Sequence, residues 1–422
     1  MPTTTPRPRA VLFALILTLA IARLAPGLAA TAPDIETTTT NVPQTADPLK
    51  ITADYPGGNI IYDKIEENTV FLHQDLRDTA GWWFYWNFQA ENAAGRTLTF
   101  QFTDGNPIGV LGPAVSTDHG QNWHWLGPKS VSGPAFRYSF SQNEQKVRFS
   151  FAIPYQLADF GRFAATHTPA DHFRLFTLCE SPKGRPVPAA RIGKLTGDPK
   201  HRILFTARHH ACESLASYAL EGVIDTVLSD TDHGRWFRDK VEILAIPFVD
   251  LDGVEDGDQG KNRKPRDHNR DYLGDSIYPE VRAIRDLVPN WSDGKLRAAI
   301  DLHCPWIRGE YNEVIYMVGS ANPEIWKQQC VLGEILEKVQ TGPLTYRASD
   351  NLPFGKAWNT GANYASGKSC SRWAGELPGI ALSTGLEIPY ANANNKTVTA
   401  ETARAFGRDL ALALYHYLKE KM

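Results

Sequence analysis

Cysteine is scarce in this chain. There are five in 422 residues (Cys179, Cys212, Cys304, Cys330 and Cys370), none spaced as Cys-x-x-Cys. That excludes a cysteine-built zinc knuckle and a dense disulfide framework. Cys212 and Cys304, beside candidate metal ligands, read as small buried fillers. An excess of charge of one sign is also missing. Lys and Arg number 44 against 47 Asp and Glu, a net charge of −3, so neither nucleic acid nor an anionic membrane is expected as a partner. Long apolar runs are nearly absent too. The one of note, residues 10–22, is too short for a comfortable membrane span. It follows Arg7 and Arg9 and precedes Gly27, Ala29, Ala30 and Ala32. A basic start, a short apolar run and a small-residue cleavage site form the signal-peptide pattern. Residues 1–30 are therefore expected to be a signal peptide. The mature chain is expected to be secreted or periplasmic, with no membrane association once the leader is removed.

What the chain has in quantity is aromatic residues: 11 Trp, 15 Tyr and 19 Phe. Residues 31–50 are rich in Thr and Pro and read as a linker. Over residues 51–160, β-branched and aromatic residues alternate with polar ones, and turn residues recur at short intervals. That pattern predicts an all-β sandwich domain. The segment 116–127 (STDHGQNWHWLG) reads as a hairpin turn, with Trp123 and Trp125 packed on the sandwich. Over residues 161–422, apolar runs alternate with helical periodicity. Strands are expected at 173–180, 202–207, 241–250, 296–305, 313–319 and 379–389, and helices at 214–229, 279–288, 323–340 and 399–420. Buried strands separated by helices predict an α/β domain.

The chemistry concentrates in residues 203–228, a strand, a polar turn and an amphipathic helix. His210 and Glu213 sit at the turn, spaced His-x-x-Glu. An imidazole and a carboxylate three residues apart can share one divalent ion, zinc above all. A catalytic zinc commonly has three protein ligands. His303, at the end of an apolar strand and before Pro305, is the candidate third. His209 is its local competitor, and Asp301 shares its strand face but sits deeper. Glu387, in the apolar run 379–389, is the candidate general base, because burial raises a carboxyl pKa toward neutrality. The long polar loop 250–272 follows a strand, where α/β folds place sites. Its Arg263, Arg266 and Arg270 suit a carboxylate clamp. Its acids Asp250, Asp252, Asp256 and Asp258 lack the EF-hand order and read as a solvated loop.

Four ordered pieces together resemble the M14 zinc metallocarboxypeptidases, and are most similar to the cytosolic-carboxypeptidase branch. ARHHACES and SYALEGVID resemble that family's ARVHPGE and SW…EG segment. DLDGVEDG, KNR and DHNRDY resemble its NPDGV and DLNR segment. His303 matches the third zinc ligand, and Gly385-Leu386-Glu387 matches the catalytic glutamate. The FYWNFQAEN and FAIPY stretches resemble the β-sandwich that precedes the catalytic domain in that branch. The resemblance implies one zinc per chain on His210, Glu213 and His303, with Glu387 as base and then acid. It implies Asn269 and Arg270 as holders of a terminal carboxylate, and Arg263 as the group that polarises the scissile carbonyl. Basic residues upstream of the glutamate favour acidic C-terminal side chains in the branch; Lys368 and Arg372 lie in that region here. Two departures stand out: Ala211-Cys212 replaces the family's Pro-Gly, and Asp250-Leu251 replaces its Asn-Pro.

The expectation is thus an exported zinc carboxypeptidase that acts on peptide or protein C-termini through metal-activated water, with a mixed-sheet catalytic domain behind a β-sandwich. Two other readings use the same residues. One is a zinc amidase or deacylase acting on cell-wall peptides or acylated amino acids; Asn269 and Arg270 argue instead for a free carboxylate. The other is a zinc-stabilised, non-catalytic carbohydrate binder, which has no need of Glu387.

Overall fold

A computed structural model describes residues 48–168 and 171–421. The expected signal peptide and nearly all of the expected linker lie outside the described residues. Residues from Asp47 onward form one compact unit.

The period-two segments build two five-stranded sheets. One contains Asn87–Glu91 and Lys146–Ser150, paired antiparallel, and the other contains Thr97–Phe102 and Ala135–Ser139. Alternation puts one face of each strand inward, and those faces meet ring on ring. Phe88 lies 5.3 Å from Phe100, Phe100 5.1 Å from Phe149, and Phe136 5.3 Å from Phe149, measured between ring centres. The 116–127 turn closes on itself. Asp118 accepts hydrogen bonds from Ser116 Oγ, the Gln121 and Asn122 backbone N–H groups and Asn122 Nδ2, so its carboxylate is used up by the turn.

The second layer system is a seven-stranded mixed sheet. Its order is Phe173–Glu180, Pro186–Gly193, Val241–Ile246, His201–Ala207, Leu296–His303, Leu382–Glu387 and Tyr316–Val318. The Val241–Ile246, His201–Ala207, Leu296–His303 and Leu382–Glu387 strands run parallel, and the outer ones are antiparallel. The Ser214–Leu228 helix is buried along most of its length and packs beside the Ala400–Lys421 helix. The second of these starts where Thr399 Oγ1 accepts from the Thr402 N–H, an N-cap bond.

Helices Leu157–Ala165 and Cys370–Ala374 lie outside the expected set, and so do three further elements. Pro186–Gly193 is a strand inside the sheet although it holds two prolines. Pro188 falls beside a register shift in the partner strand at Thr177/Cys179, where a missing N–H is tolerated. Asp232–Lys240 is a helix despite its polar composition, started by Thr231 Oγ1 accepting from Gly234 N. The loop after Val249 opens with a short helix, Leu251–Asp256, capped by Asp250 Oδ1 on the Gly253 N–H.

Candidate active site

The parallel strands deliver the site at their carboxyl ends, where open α/β sheets place ligands. His201–Ala207 ends just before His209 and His210. His303 and Glu387 close the next two strands and stand directly opposite each other in the parallel register. At the first strand end the chain turns through Arg208 at φ +60°. Its buried guanidinium fixes the turn by donating from Nε to Ala211 O at 3.0 Å and from Nη1 to Tyr155 O at 2.8 Å. This bend brings His210 and Glu213 back over the sheet edge.

Three buried side chains then converge. His210 Nδ1 lies 2.9 Å from Glu213 Oε1, and His303 Nδ1 lies 2.7 Å from Glu213 Oε2. One donor atom from each lies within 4.8 Å of the others. Two imidazoles and a carboxylate are a catalytic zinc donor set. The opposite ring nitrogens face carboxylates, as those of metal-binding histidines commonly do. His303 Nε2 is 2.6 Å from Asp301 Oδ2, and His210 Nε2 is 3.8 Å from Asp267 Oδ1. The residues present therefore fit the metal. His209, the local competitor, does not join them. Its Nδ1 bonds Asp301 Oδ1 at 2.7 Å and its Nε2 bonds the Tyr272 hydroxyl at 2.8 Å. His209, Asp301 and Cys370 also cluster, but these bonds and Thr206 Oγ1 on Asp301 Oδ1 already occupy the polar atoms. That second cluster is a scaffold behind His303.

Glu387 is buried beside the triad, and its Oε2 has no hydrogen-bond partner. Burial raises its pKa; the Glu213 carboxylate adds to the rise, while His303 and Lys261 oppose it. Glu213 behaves oppositely. Burial pushes it up, but His210, Lys261 and His303 outweigh that and hold it well below the usual carboxylate range. One carboxylate is thus held anionic for a cation, and the other is shifted toward proton transfer.

His210, His303 and Glu387 line a cavity of about 490 Å³ with Lys261, Asp267, Asn269, Arg270 and Tyr364, while Glu213 is fully buried outside its walls. Arg270 is held by Nε on Asn363 O at 3.2 Å and Nη1 on Asn269 O at 2.9 Å. Asn269 accepts the Cys370 N–H on Oδ1 at 2.8 Å, and its Nδ2 lies 3.1 Å from His303 Nε2. The sandwich reaches the cavity through Trp83, whose ring sits 4.4 Å from that of Trp306. Trp306 and Trp358 are each 38% exposed, so the mouth is rimmed by indoles.

Four expected cationic site residues do not line this cavity, and one of them, Arg266, is paired through Nε with Asp271 Oδ1 at 2.6 Å. Arg263 is only 9% exposed and is bound by Asp250 and Asp258, both at 2.9 Å from Nη2, with Asp78 at 3.4 Å from Nη1. Three carboxylates hold its charge elsewhere, so the assignment to the scissile carbonyl is withdrawn. Lys368 is engaged by Glu376 at 2.7 Å. Arg372 stacks over the Tyr364 ring, 4.5 Å from its centre, and borders a smaller adjoining cavity instead. The residue that sequence reasoning missed is Lys261, inside the 250–272 loop. Its Nζ lies 2.7 Å from Glu213 Oε1. The available signal was its placement directly after Gly260, a glycine no other side chain could replace. A Cβ there would stand 2.1 Å from the Ala211 backbone N.

A mixed sheet with a His/Glu/His cluster at its carboxyl edge defines a metallopeptidase-like hydrolase fold. Residues 164–280 match the zinc carboxypeptidase family model. That stretch is similar to the M14 zinc carboxypeptidases. His303 and Glu387 lie beyond the matched stretch and are joined to it by the geometry above. A metallo-carboxypeptidase from Burkholderia cenocepacia has the same fold. Its TM-score is 0.73 at 18% identity, covering 88% of this chain and 99% of that one. A metallo-carboxypeptidase from Pseudomonas aeruginosa, solved with (2-guanidinoethylmercapto)succinic acid, gives 0.70 at 18%, again covering 88% and 99%. Among curated proteins, cytosolic carboxypeptidase 2 of Xenopus tropicalis is 29% identical over 179 residues, 40% of this chain and 18% of that protein. Cytosolic carboxypeptidase 6 of Caenorhabditis elegans is 23% identical over 291 residues, 60% of this chain and 62% of that protein. The chain therefore spans less than two thirds of these relatives.

Proposed function

We propose that this chain is an exported zinc metallocarboxypeptidase that hydrolyses C-terminal residues from peptides. The observation that carries the reading is Glu387. It is buried with a free carboxylate oxygen beside a His/Glu/His cluster, in a cavity that also holds Arg270.

Zinc held by His210, Glu213 and His303 would act as the Lewis acid and lower the pKa of water. The protein supplies the rest. Arg270 pairs with the substrate's terminal carboxylate as a guanidinium fork, and Asn269 fixes that guanidinium through its own carbonyl. Glu387 takes a proton from the attacking water and returns it to the amine as the C–N bond breaks. The indole rim of Trp83, Trp306 and Trp358 narrows the entrance, so the sandwich restricts what enters.

The reading extends to acidic C-terminal side chains through Arg372 alone. The adjoining cavity bordered by Arg372 shares Val318, Tyr364 and Ser371 with the main one, so a side chain reaching past Tyr364 meets a cation. Export rests on the basic and apolar pattern of residues 7–32.

The test is a peptide panel, with free and amidated C-termini, ending in Glu, Gln, Leu or Lys. The expected result is chelator-sensitive release of single C-terminal residues from free peptides only, fastest for Glu. Cleavage of amidated peptides would overturn the exopeptidase reading. Unchanged preference in Arg372→Ala would remove the acidic one. A mature chain that still begins at residue 1 would remove export.

A further inference from the structure

The geometry points to Lys261 as the group that binds the carbonyl oxygen of the scissile bond and stabilises its developing negative charge. This inference rests on the carboxypeptidase reading and deepens it. Acyl transfer by water attack makes an oxyanion, and a preorganised cation or N–H donor aimed at it is commonly the largest single contribution to rate. Arg263 cannot serve, being bound by Asp78, Asp250 and Asp258. Arg270 is the other cationic side chain, besides the histidines, in the cavity wall, and it is needed for the terminal carboxylate. Lys261 remains, in the same wall as His210, His303 and Glu387.

The fold spends a specific local conformation on delivering it there. Gly260 and Asn262, on either side, both have positive φ, +73° and +47°. Gly260 packs on the backbone of Ala211, and Gln259 O accepts the Cys212 N–H at 3.3 Å. The loop is thus fastened to the turn between the two metal ligands, His210 and Glu213. Lys261 Nζ rests 2.7 Å from Glu213 Oε1, and 5.8 Å from the centre of the Trp83 ring. With Glu213 committed to a divalent cation, like-charge repulsion at that range turns the ammonium away from the ligand. The face of Trp83 is a favourable alternative rest for it. Lys261 and Trp83 both line the cavity.

The step balances without covalent change at the lysine. Water's oxygen bonds to the carbonyl carbon and the π pair moves onto the carbonyl oxygen. Lys261 donates a hydrogen bond to that oxygen and keeps its proton. The water proton goes to Glu387 and then to the leaving amine as the C–N bond breaks.

The experiment compares wild type, Lys261→Met and Lys261→Arg as full-length, zinc-loaded proteins on an N-blocked dipeptide with a free C-terminus. Zinc content is measured, and so is binding of the matching phosphonate, which carries a tetrahedral anion where the carbonyl was. For Lys261→Met the expectation is one zinc per chain, kcat lower by about 10²–10³-fold and KM changed by less than about threefold. Phosphonate affinity should fall with kcat/KM, and affinity for the free product amino acid should be unaltered. Lys261→Arg should restore part of kcat. Loss of zinc from Lys261→Met would make the lysine a mere prop for Glu213 and overturn the assignment, as would unaltered kcat. If Lys261→Met does not fold, Lys261→Gln replaces it under the same criteria. Hydrolysis by wild type and variant alike sinks this assignment alone. Absence of peptide hydrolysis by wild type sinks the carboxypeptidase reading and this with it.

Discussion

Asp301 and His303 lie two residues apart on one strand, so both side chains leave the same face of the sheet, and Asp301 Oδ2 stands 2.6 Å from His303 Nε2. The same carboxylate takes His209 Nδ1 and Thr206 Oγ1 on its other oxygen, each at 2.7 Å. It therefore fixes which His303 nitrogen faces the metal cluster.

Asp301→Asn should weaken zinc binding by about 10–100-fold, the usual effect of removing such a partner. An amide offers one acceptor oxygen where three donors converge. Competition against a chromophoric chelator reads this directly. Zinc affinity equal to wild type would mean the ring is held by packing alone.

Glu387→Gln should lower kcat by about 100-fold or more, since a positioned base typically contributes that much. KM and zinc content should change little, because Glu387 is not among the clustered donors. An amide retaining full kcat would require another base in the cavity, and Asp267 would be the next to test.

The metal triad was legible in the sequence because its signals are local. His210 and Glu213 share a turn, and His303 and Glu387 each end an apolar strand, whose order in a parallel sheet brings such ends together. The four longest helices and the alternating N-terminal strands were legible for the same reason, through periodicity. The failures at Arg263 and Lys261 share one cause. Which cation of a polar loop faces the cavity depends on backbone angles at Gly260 and Asn262 and on Asp78, far away in the chain. Neither periodicity nor spacing carries that information.

Glu280 supplies a pH prediction. It lies in the first turn of the Pro279–Ser292 helix, 1% exposed, with no hydrogen bond on Oε2 and His268 Nε2 3.9 Å from that atom. Burial pushes its pKa up to about 8; Asp250 and Asp252 push the same way, against its own backbone N–H and Arg263. In the unfolded chain a glutamate titrates near about 4.3. The folded state thus holds a proton that the unfolded state has lost, and stability falls as pH rises from about 4 to about 8. Glu280→Gln cannot ionise, so its Tm relative to wild type should climb across that range and level off above it. A difference independent of pH would show that the carboxyl is already ionised at pH 5.

Arg263→Gln should act on stability rather than on the chemical step. The guanidinium lies within 2.9 Å of Asp250 and Asp258, and Asp250 is 1% exposed. Removing one partner of a buried ion-pair cluster typically costs about 3–5 kcal/mol, because the remaining charges are left unpaired. Asp250 also caps the Leu251–Asp256 helix, and Thr79, from the sandwich side, forms an isolated bridge with Arg263. The loss should therefore loosen the stretch of loop that carries Lys261, two residues before Arg263. Below its lowered melting temperature the variant should bind zinc as wild type does and keep kcat within about tenfold, whereas a direct role at the carbonyl predicts a loss of about 10²-fold or more. Chemical denaturation and single-turnover hydrolysis on the same preparation separate the two. Unaltered denaturation with a collapsed kcat would return Arg263 to the reaction and displace Lys261 from it.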